Sequence, residues 1–539
     1  MQSRSIALPL QLARGAVFLL ACLPASAQFP SKITRVVVIV QENRTPDNLF
    51  HYLTPACPIP KDAKGLSACT PSPVTDSCYN ISPCGLSNQK GSPVRETLKS
   101  ISLSSTVNPD HSHKSFEQMC DLDTSTFQCR IDGAWRLSGS NDSYTYVSNA
   151  SVTNSNGSKG HILDPYMTLV KQYGWANYMY QTNQGPSYTA HQFIFSGTSA
   201  LSSTDDANSI FIAENPISSL QKESGCLAPA GAANDLIEPV MGQPTPGCTL
   251  YGNKSVEECP ITNTALDYPV NPVGTFCTSH QSMADVLDAP AISWKYYATT
   301  PGYIWTAPVS IQSICQPAFV NPNGDPSSSL KCTGSEWTAN VDTNNLGTDI
   351  LRDVTNCNLA NVSWITPDGV WSDHAGSYGP SWVAAIINAI GNNPTCPQGT
   401  TDAGQNYWQN TAILVTWDDW GGWSDHEQPL LAGALPCTSA NCPAAYQYGF
   451  RVPLLVVSAY TPAGLIDNIP HDFGSILRMI EGVNNLPEGE LGFADARSTS
   501  DLSNFFTLST PRGFTTIPAE KNANFFLTYK GAAVEPDDD

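Results

Sequence analysis

Glu42 and Asn43 stand one residue beyond the apolar run Arg35-Val-Val-Val-Ile-Val40, after Gln41, and Asp418-Asp419 stand directly after Ala412-Ile-Leu-Val-Thr-Trp417. A short β-branched run reads as a buried strand. In an open α/β sheet, ligands bind outside the carboxyl ends of the strands. Two such ends carrying Glu, Asn, Asp and Asp could form one hard-oxygen site for a divalent cation. Adjacent carboxylates also repel unless a cation or a proton lies between them. The competing reading is a capping Asp pair in the Gly-rich turn Trp420-Gly-Gly422.

A nucleophile is available. Ser187 follows Gly185-Pro186 at an expected helix start, in Asn183-Gln-Gly-Pro-Ser-Tyr-Thr-Ala-His191. Free backbone N–H groups at a helix start attract anions, which favours a phosphate and a serine alkoxide. An ordinary N-cap serine would look the same. The Gly-x-Ser-x-Gly elbow of α/β-hydrolases is absent, since the run here is Gly-Pro-Ser-Tyr-Thr. Nine histidines are few enough to weigh singly. His111 and His113 lie in Asn108-Pro-Asp-His-Ser-His113, His374 in Trp371-Ser-Asp-His374, and His426 in Trp423-Ser-Asp-His426. The repeated Ser-Asp-His suggests imidazoles oriented by aspartates. A surface histidine beside an aspartate is the plain alternative.

These residues need a scaffold that brings position 42 to position 418. Strands alternating with helices indicate a mainly parallel central sheet flanked by helices. Further strands are expected at 291–297, 361–365 and 452–458. The spacing predicts helices over 161–173, 188–195, 380–390 and 471–483. Length alone would allow about three domains at ~150 residues each. The two distant strand ends argue instead for a single catalytic domain over 28–539, with Cys-rich insertions at about 57–107 and 200–290.

Residues 1–27 have the form of a secretory signal: Arg4 and Arg14, the apolar stretch Ala16 to Leu23, and Ala25-Ser-Ala27 as a cleavage site. Leu19-Leu-Ala-Cys22 gives a lesser alternative, lipid anchoring through Cys22. Of seventeen cysteines, Cys22 belongs to the leader, and an even number remains for disulfides in an oxidising compartment. Cys120–Cys129 and Cys437–Cys442 are plausible local pairs. No Cys-x-x-Cys occurs, which argues against a zinc ribbon or a thioredoxin-type centre. A formal net charge of −21 argues against nucleic acid as a partner. Beyond the leader, no stretch is apolar and long enough to span a bilayer. The expected location is therefore secreted, periplasmic or extracellular.

Taken together the motifs resemble the bacterial phosphoesterase family that holds phospholipases C and acid phosphatases, within the alkaline-phosphatase-like superfamily. Gln41-Glu-Asn-Arg-Thr-Pro-Asp-Asn-Leu-Phe50 is similar to its first motif, and Gly185-Pro-Ser187 through Phe195-Ser-Gly-Thr198 to its second. Asp418-Asp-Trp-Gly-Gly-Trp-Ser-Asp-His426 and Gly449-Phe-Arg-Val-Pro453 follow in order, as does the helix Ser475 to Glu481. The resemblance implies a metal-dependent phosphoester hydrolase with one divalent ion on Glu42, Asn43, Asp418 and Asp419. It implies Ser187 as nucleophile, and His111 and His374 as phosphate contacts or leaving-group acid. Asp425 and His426 would support the metal loop. The implied partner is a small phosphate ester or a phospholipid headgroup. Phosphate monoesters come first, a phospholipase C acting on diester headgroups second, and a non-catalytic cell-surface binding protein on the same fold third. The acid phosphatases tend to carry a His pair before a Gln-Pro-Phe-like segment, and Ile314-Cys-Gln-Pro-Ala-Phe319 has none. A sulfatase is disfavoured, because Cys-x-Pro-x-Arg is absent.

Overall fold

The computed structural model describes residues 29–61, 69–123, 128–137, 142–207, 211–216, 223–228, 277–319, 330–430, 448–498 and 500–534, with three short strands between 236 and 258. The predicted leader, Cys22, most of the 200–290 insertion and the Cys437–Cys442 pair lie outside these residues.

Eight strands form one sheet. They are β1 Arg35–Gln41, β2 Gly174–Ala176, β3 Trp294–Tyr297, β4 Val341–Asp342, β5 Val362–Ile365, β6 Thr411–Trp417, β7 Leu454–Ser458 and β8 Leu465–Asp467. Their order across the sheet is β4-β3-β5-β1-β6-β7-β2-β8. β1 lies between parallel neighbours β5 and β6. Every residue of β1 and β6 is buried. A strand covered on both faces has no polar side to alternate, which is why both read as continuous apolar runs. β7 departs from the expected pattern. It runs antiparallel to both β6 and β2, with Thr416 opposite Leu454 and Ala412 opposite Ser458. Its carboxyl end therefore points away from Glu42 and Asp418, and its start, at Leu454, lies beside the end of β6, with Arg451 in the loop that leads into it. The sheet is mixed but mainly parallel.

The helices that matter here are α1 Pro46–Leu49, α2 His113–Cys120, α3 Asp164–Gln172, α4 Ser187–Ser196, α5 Asp349–Thr355, α6 Gly379–Asn392 and α7 Phe473–Val483. Proline stands in the first turn of α3 and α6, where its missing N–H has no partner to lose. α7 begins with a capping box between Asp472 and Ser475.

Strand register assigns the helices to opposite faces. Phe195 of α4 packs on Trp294, Tyr296 and Trp364, and Trp364 pairs with Val38. Tyr166 of α3 packs on Trp417, which pairs with Gln41. Side chains alternate along a strand, so Val36, Val38 and Val40 face α4, whereas Val37, Ile39 and Gln41 face α3. α7 packs beside α4, and α5 and α3 pack beside α6. Continuing the alternation one residue past each strand turns Glu42 and Asp418 toward α4.

Six disulfides join described residues: Cys57–Cys78, Cys69–Cys84, Cys120–Cys129, Cys226–Cys277, Cys315–Cys332 and Cys357–Cys396. The expected Cys120–Cys129 pair is among them. Among the described residues no helix is long and apolar enough to cross a membrane.

Candidate functional site

β1 and β6 deliver their end residues side by side. The Asp418 backbone N–H donates to the Gln41 carbonyl at 3.0 Å, and that of Arg44 donates to the Asp419 carbonyl at 3.0 Å. Asn43 adopts a left-handed backbone with φ of 59°, a conformation Asn tolerates better than most residues. That turn sends its N–H to Asp418 Oδ1 at 2.9 Å. The facing loop needs glycine for a related reason. Gly421 and Gly422 also have positive φ, and a Cβ on Gly421 would meet the Asn43 carbonyl oxygen at 2.5 Å.

Ser187 is the first residue of α4, and Pro186 is its N-cap with no side-chain cap bond. The serine is therefore not spent as a cap. Its hydroxyl donates to Asp419 Oδ2 at 3.1 Å. Asp419 Oδ1 accepts the Gly421 N–H at 2.7 Å, so this carboxylate caps its turn with one oxygen and holds the serine with the other. One turn further along α4, His191 reaches the same place. Its Nε2 lies 3.3 Å from Glu42 Oε1 and 3.7 Å from Asp418 Oδ2.

The electrostatics of this cluster are unbalanced. Glu42, Asp418, Asp419 and His191 are all buried. Burial, then Asp418, Asp419 and Asp373, push the Glu42 carboxyl well above its ordinary range. Burial and Asp418 do the same to Asp419, against opposing effects of His111, the Gly421 N–H and the Ser187 hydroxyl. Burial lowers the His191 imidazole to about 4, with Asp418 opposing, so it brings no compensating positive charge. Glu42 Oε1, Asn43 Oδ1 and Asp418 Oδ2 are buried acceptors with no hydrogen-bond donor. Buried acceptors left this way are strongly unfavourable unless protons or a cation satisfy them. The donor set therefore fits a divalent ion, and the four residues expected to hold it are together.

Both expected histidines border the cluster. His111 Nε2 lies 2.9 Å from Asn43 Nδ2, and its Nδ1 lies 3.1 Å from the Pro109 carbonyl. Nδ1 can donate to that carbonyl, and Nε2 faces the Asn43 amide and the acidic cluster. His374 packs edge-on to His111 with ring centroids 5.8 Å apart, and its Nε2 lies 2.7 Å from Asn108 Oδ1. Burial, then His111 and Arg44, hold His374 well below its ordinary value, so it stands as a neutral imidazole. The Arg44 guanidinium braces this side through the Asp373 and His374 carbonyls, and stacks over Trp423 at 5.0 Å.

Asp425 and His426 belong to an adjoining network around Asp47. His426 Nδ1 lies 2.7 Å from Asp47 Oδ2, and its Nε2 lies 2.9 Å from Asn80 Oδ1. The three acidic and imidazole groups converge closely enough to suggest a second cation site. Arg451 already occupies that role. It donates to both oxygens of Asp425 at 3.1 and 3.0 Å and stands 3.6 Å from Asp47. A planar guanidinium forked on a carboxylate supplies charge and geometry together.

Sequence reasoning missed His191 and Arg451. His191 was visible only as the fourth residue after Ser187, a spacing that puts both on one face of a helix. Arg451 was visible as the arginine before the Val-Pro that opens β7.

The Phosphoesterase family profile matches residues 33–487. A non-hemolytic phospholipase C of Burkholderia pseudomallei is 30% identical over 152 residues, 25% of this chain and 20% of that one. Phospholipase C A of Mycobacterium tuberculosis is 26% identical over 251 residues, 43% of this chain and 44% of that one. The matched parts thus span less than half the length of these relatives. Among solved structures, a protein of the alkaline phosphatase superfamily from Vibrio parahaemolyticus overlaps with 60% of each chain, a TM-score of 0.27 and 8% identity. With its match extending from the first strand to beyond α7, the chain belongs to the phosphoesterase family.

Proposed function

We propose that the protein is an exported, metal-dependent hydrolase of phosphoester bonds that uses Ser187 as its nucleophile. The observation that carries this is the Ser187 hydroxyl on Asp419 Oδ2 at 3.1 Å, beside buried acceptors that have no donors. Glu42, Asn43, Asp418 and Asp419 would hold the ion. When bound, the ion neutralises phosphoryl charge and lowers the pKa of the serine hydroxyl.

The chain's own groups do the rest. Asp419 Oδ2 takes the Ser187 proton as the oxygen attacks phosphorus. The ester P–O bond breaks opposite the incoming serine, giving a phosphoserine. Water then breaks the serine–phosphorus bond and restores the hydroxyl. The burial of Ser187 at the start of α4 keeps bulk water from the first step, and the positive end of the helix dipole favours an anion there. His111 and His374 line the phosphate side, and His111, once it carries a proton on both ring nitrogens, would donate the Nε2 proton to a phosphate oxygen or to the departing alkoxide and return to the neutral imidazole.

Sequence features put monoesters first. The relatives named above are phospholipases C, and that moves a phosphodiester headgroup ahead of a monoester as substrate. One catalytic domain over residues 28–539 is in keeping with a sheet whose strands come from residues 35 to 467. Six disulfides among the described residues support export to an oxidising compartment.

Hydrolysis of p-nitrophenyl phosphate and p-nitrophenyl phosphorylcholine, with wild type and Ser187→Ala, before and after chelation, tests the reading. Expected are metal-dependent turnover with the choline diester preferred, and a loss of at least about a thousandfold in the variant. Monoester preference would return the acid-phosphatase assignment. Undiminished turnover by Ser187→Ala would end the nucleophile assignment. A metal-loaded wild type that cleaves neither ester would favour the binding-protein reading.

A further inference from the structure

We infer that His191 is itself a metal ligand, and that its nitrogen makes this site selective for borderline transition ions over Mg²⁺ and Ca²⁺. This rests on the proposal that Glu42 and Asp418 hold a divalent cation. The strand ends alone offer only oxygen. An all-oxygen site suits Mg²⁺ or Ca²⁺ as well as Mn²⁺. An imidazole nitrogen shifts preference toward Mn²⁺, Fe²⁺, Co²⁺ and Zn²⁺.

Three observations point to His191. The first is convergence: its Nε2 and one carboxylate oxygen from each of Glu42 and Asp418 lie within 4.8 Å of one another. The Nε2 contacts are 3.3 Å to Glu42 Oε1, 3.4 Å to Glu42 Oε2 and 3.7 Å to Asp418 Oδ2. Ligands roughly 2.1 Å from a common ion stand roughly 3.0–3.4 Å apart, so a shift of a few tenths of an ångström closes the set. The second is that the oxygens facing His191 want a cation. Glu42 Oε1 and Asp418 Oδ2 have no hydrogen-bond donor, and both residues are fully buried. A neutral imidazole can donate one proton through Nε2, which leaves the rest of that acceptor array unserved. The third is position. Ser187 and His191 are four residues apart on α4, so one helix face carries both the nucleophile and a nitrogen donor. Neighbouring α4 side chains pack against the sheet, with Phe195 wedged among Trp294, Tyr296 and Trp364. Helix position is thereby fixed, and an ion held by His191 would fix Ser187 relative to Asp419.

The second acidic cluster is the contrast. Asp47, Asp425 and His426 converge comparably, but Arg451 and Asn80 already satisfy them. Of these two clusters among the described residues, the His191 one has acceptors waiting.

The test uses the full-length protein, stripped and reloaded with Mn²⁺, with bound metal measured and pulsed electron paramagnetic resonance used to detect directly bound ¹⁴N. Wild type is expected to hold the ion and show nitrogen coupling. His191→Gln is expected to lose the coupling, and its Mn²⁺ and Zn²⁺ affinity falls at least about tenfold, since even hydrogen-bond partners of a metal-bound ligand are worth about 10–100-fold. His111→Gln is expected to keep the coupling. In competition, Mg²⁺ and Ca²⁺ should fail to displace Mn²⁺ from wild type at concentrations that displace it from His191→Gln. Bound Mn²⁺ without nitrogen coupling, coupling that survives in His191→Gln, or coupling lost in His111→Gln would overturn the His191 assignment and leave the oxygen site standing. A wild type that retains no Mn²⁺, Zn²⁺ or Co²⁺ would overturn both. Should His191→Gln not fold by circular dichroism, wild type and His111→Gln alone decide the matter.

Discussion

At the scale of residues, the site is a study in which buried charges are matched. Arg451 sits with Asp425 and Asp47 in a fully buried network, and burial still pushes Asp47 up to about 7 against the pull of Arg451. Removing the cation leaves both carboxylates inside without compensation. Arg451→Met is expected to destabilise the fold by about 3–5 kcal/mol, read as a lower urea midpoint, and an Arg451→Met/Asp425→Leu double variant is expected to recover much of it. Equal losses in the two variants would mean the pair matters for shape, not charge. The strand-end residues proposed to hold the ion, Glu42, Asn43, Asp418 and Asp419, were legible because an apolar run followed by carboxylates is a local pattern. His191 was not. Its carboxylate partner Glu42 is 149 residues away, and only the packing of α4 on the sheet brings them together.

At the scale of elements, strand identity was legible and strand direction was not. Val452 to Ser458 reads as a buried strand, but an apolar run carries no arrow. The antiparallel course of β7 moves the functional contribution of this segment from its end to its start, at Arg451. The strands β2, β4 and β8 escaped the sequence because two or three residues cannot display a period. The helices did better, since α3, α4, α6 and α7 each fall within a few residues of the expected spans. Helix α7 carries a titratable weakness. Burial and the neighbouring Asp495 hold Glu481 up to about 9, and Asp495 is raised as well. The folded protein therefore keeps a proton that the unfolded chain releases above about 4.3. Stability falls as pH rises from there toward 9, because the native state binds the extra proton. Glu481→Gln is expected to flatten that fall, raising Tm at pH 8 by a few degrees and hardly at pH 4.5. A uniform shift at both pH values would remove this explanation.

At the scale of the whole molecule, covalent ties supplement one large core. Cys357–Cys396 joins the end of α5 to the chain beyond α6 across a separation of 39 residues. Closing such a loop in the unfolded chain is worth about 4 kcal/mol on chain-entropy grounds. Replacing both cysteines by serine is expected to lower the thermal midpoint accordingly, with the Ser187 environment and ester hydrolysis at 25 °C unchanged. Among the disulfides of the described residues, only the nine-residue span of Cys120–Cys129 was legible. The other five link cysteines whose nearness is set by folding, not by spacing.

The central place of β1 has a consequence for how the chain is made. β1 leaves the ribosome before the other strands of its sheet, and both of its neighbours, Val362–Ile365 and Thr411–Trp417, come more than 300 residues later. At about 5–20 residues per second, the run Val36 to Val40 waits roughly 15–65 s for its first partner. Through that interval it is an unpaired, uncharged β-branched segment, the kind most prone to pair with another copy of itself. The strand that carries Glu42 and Asn43 at its end thus spends synthesis with its edges open, where a chaperone would shield it.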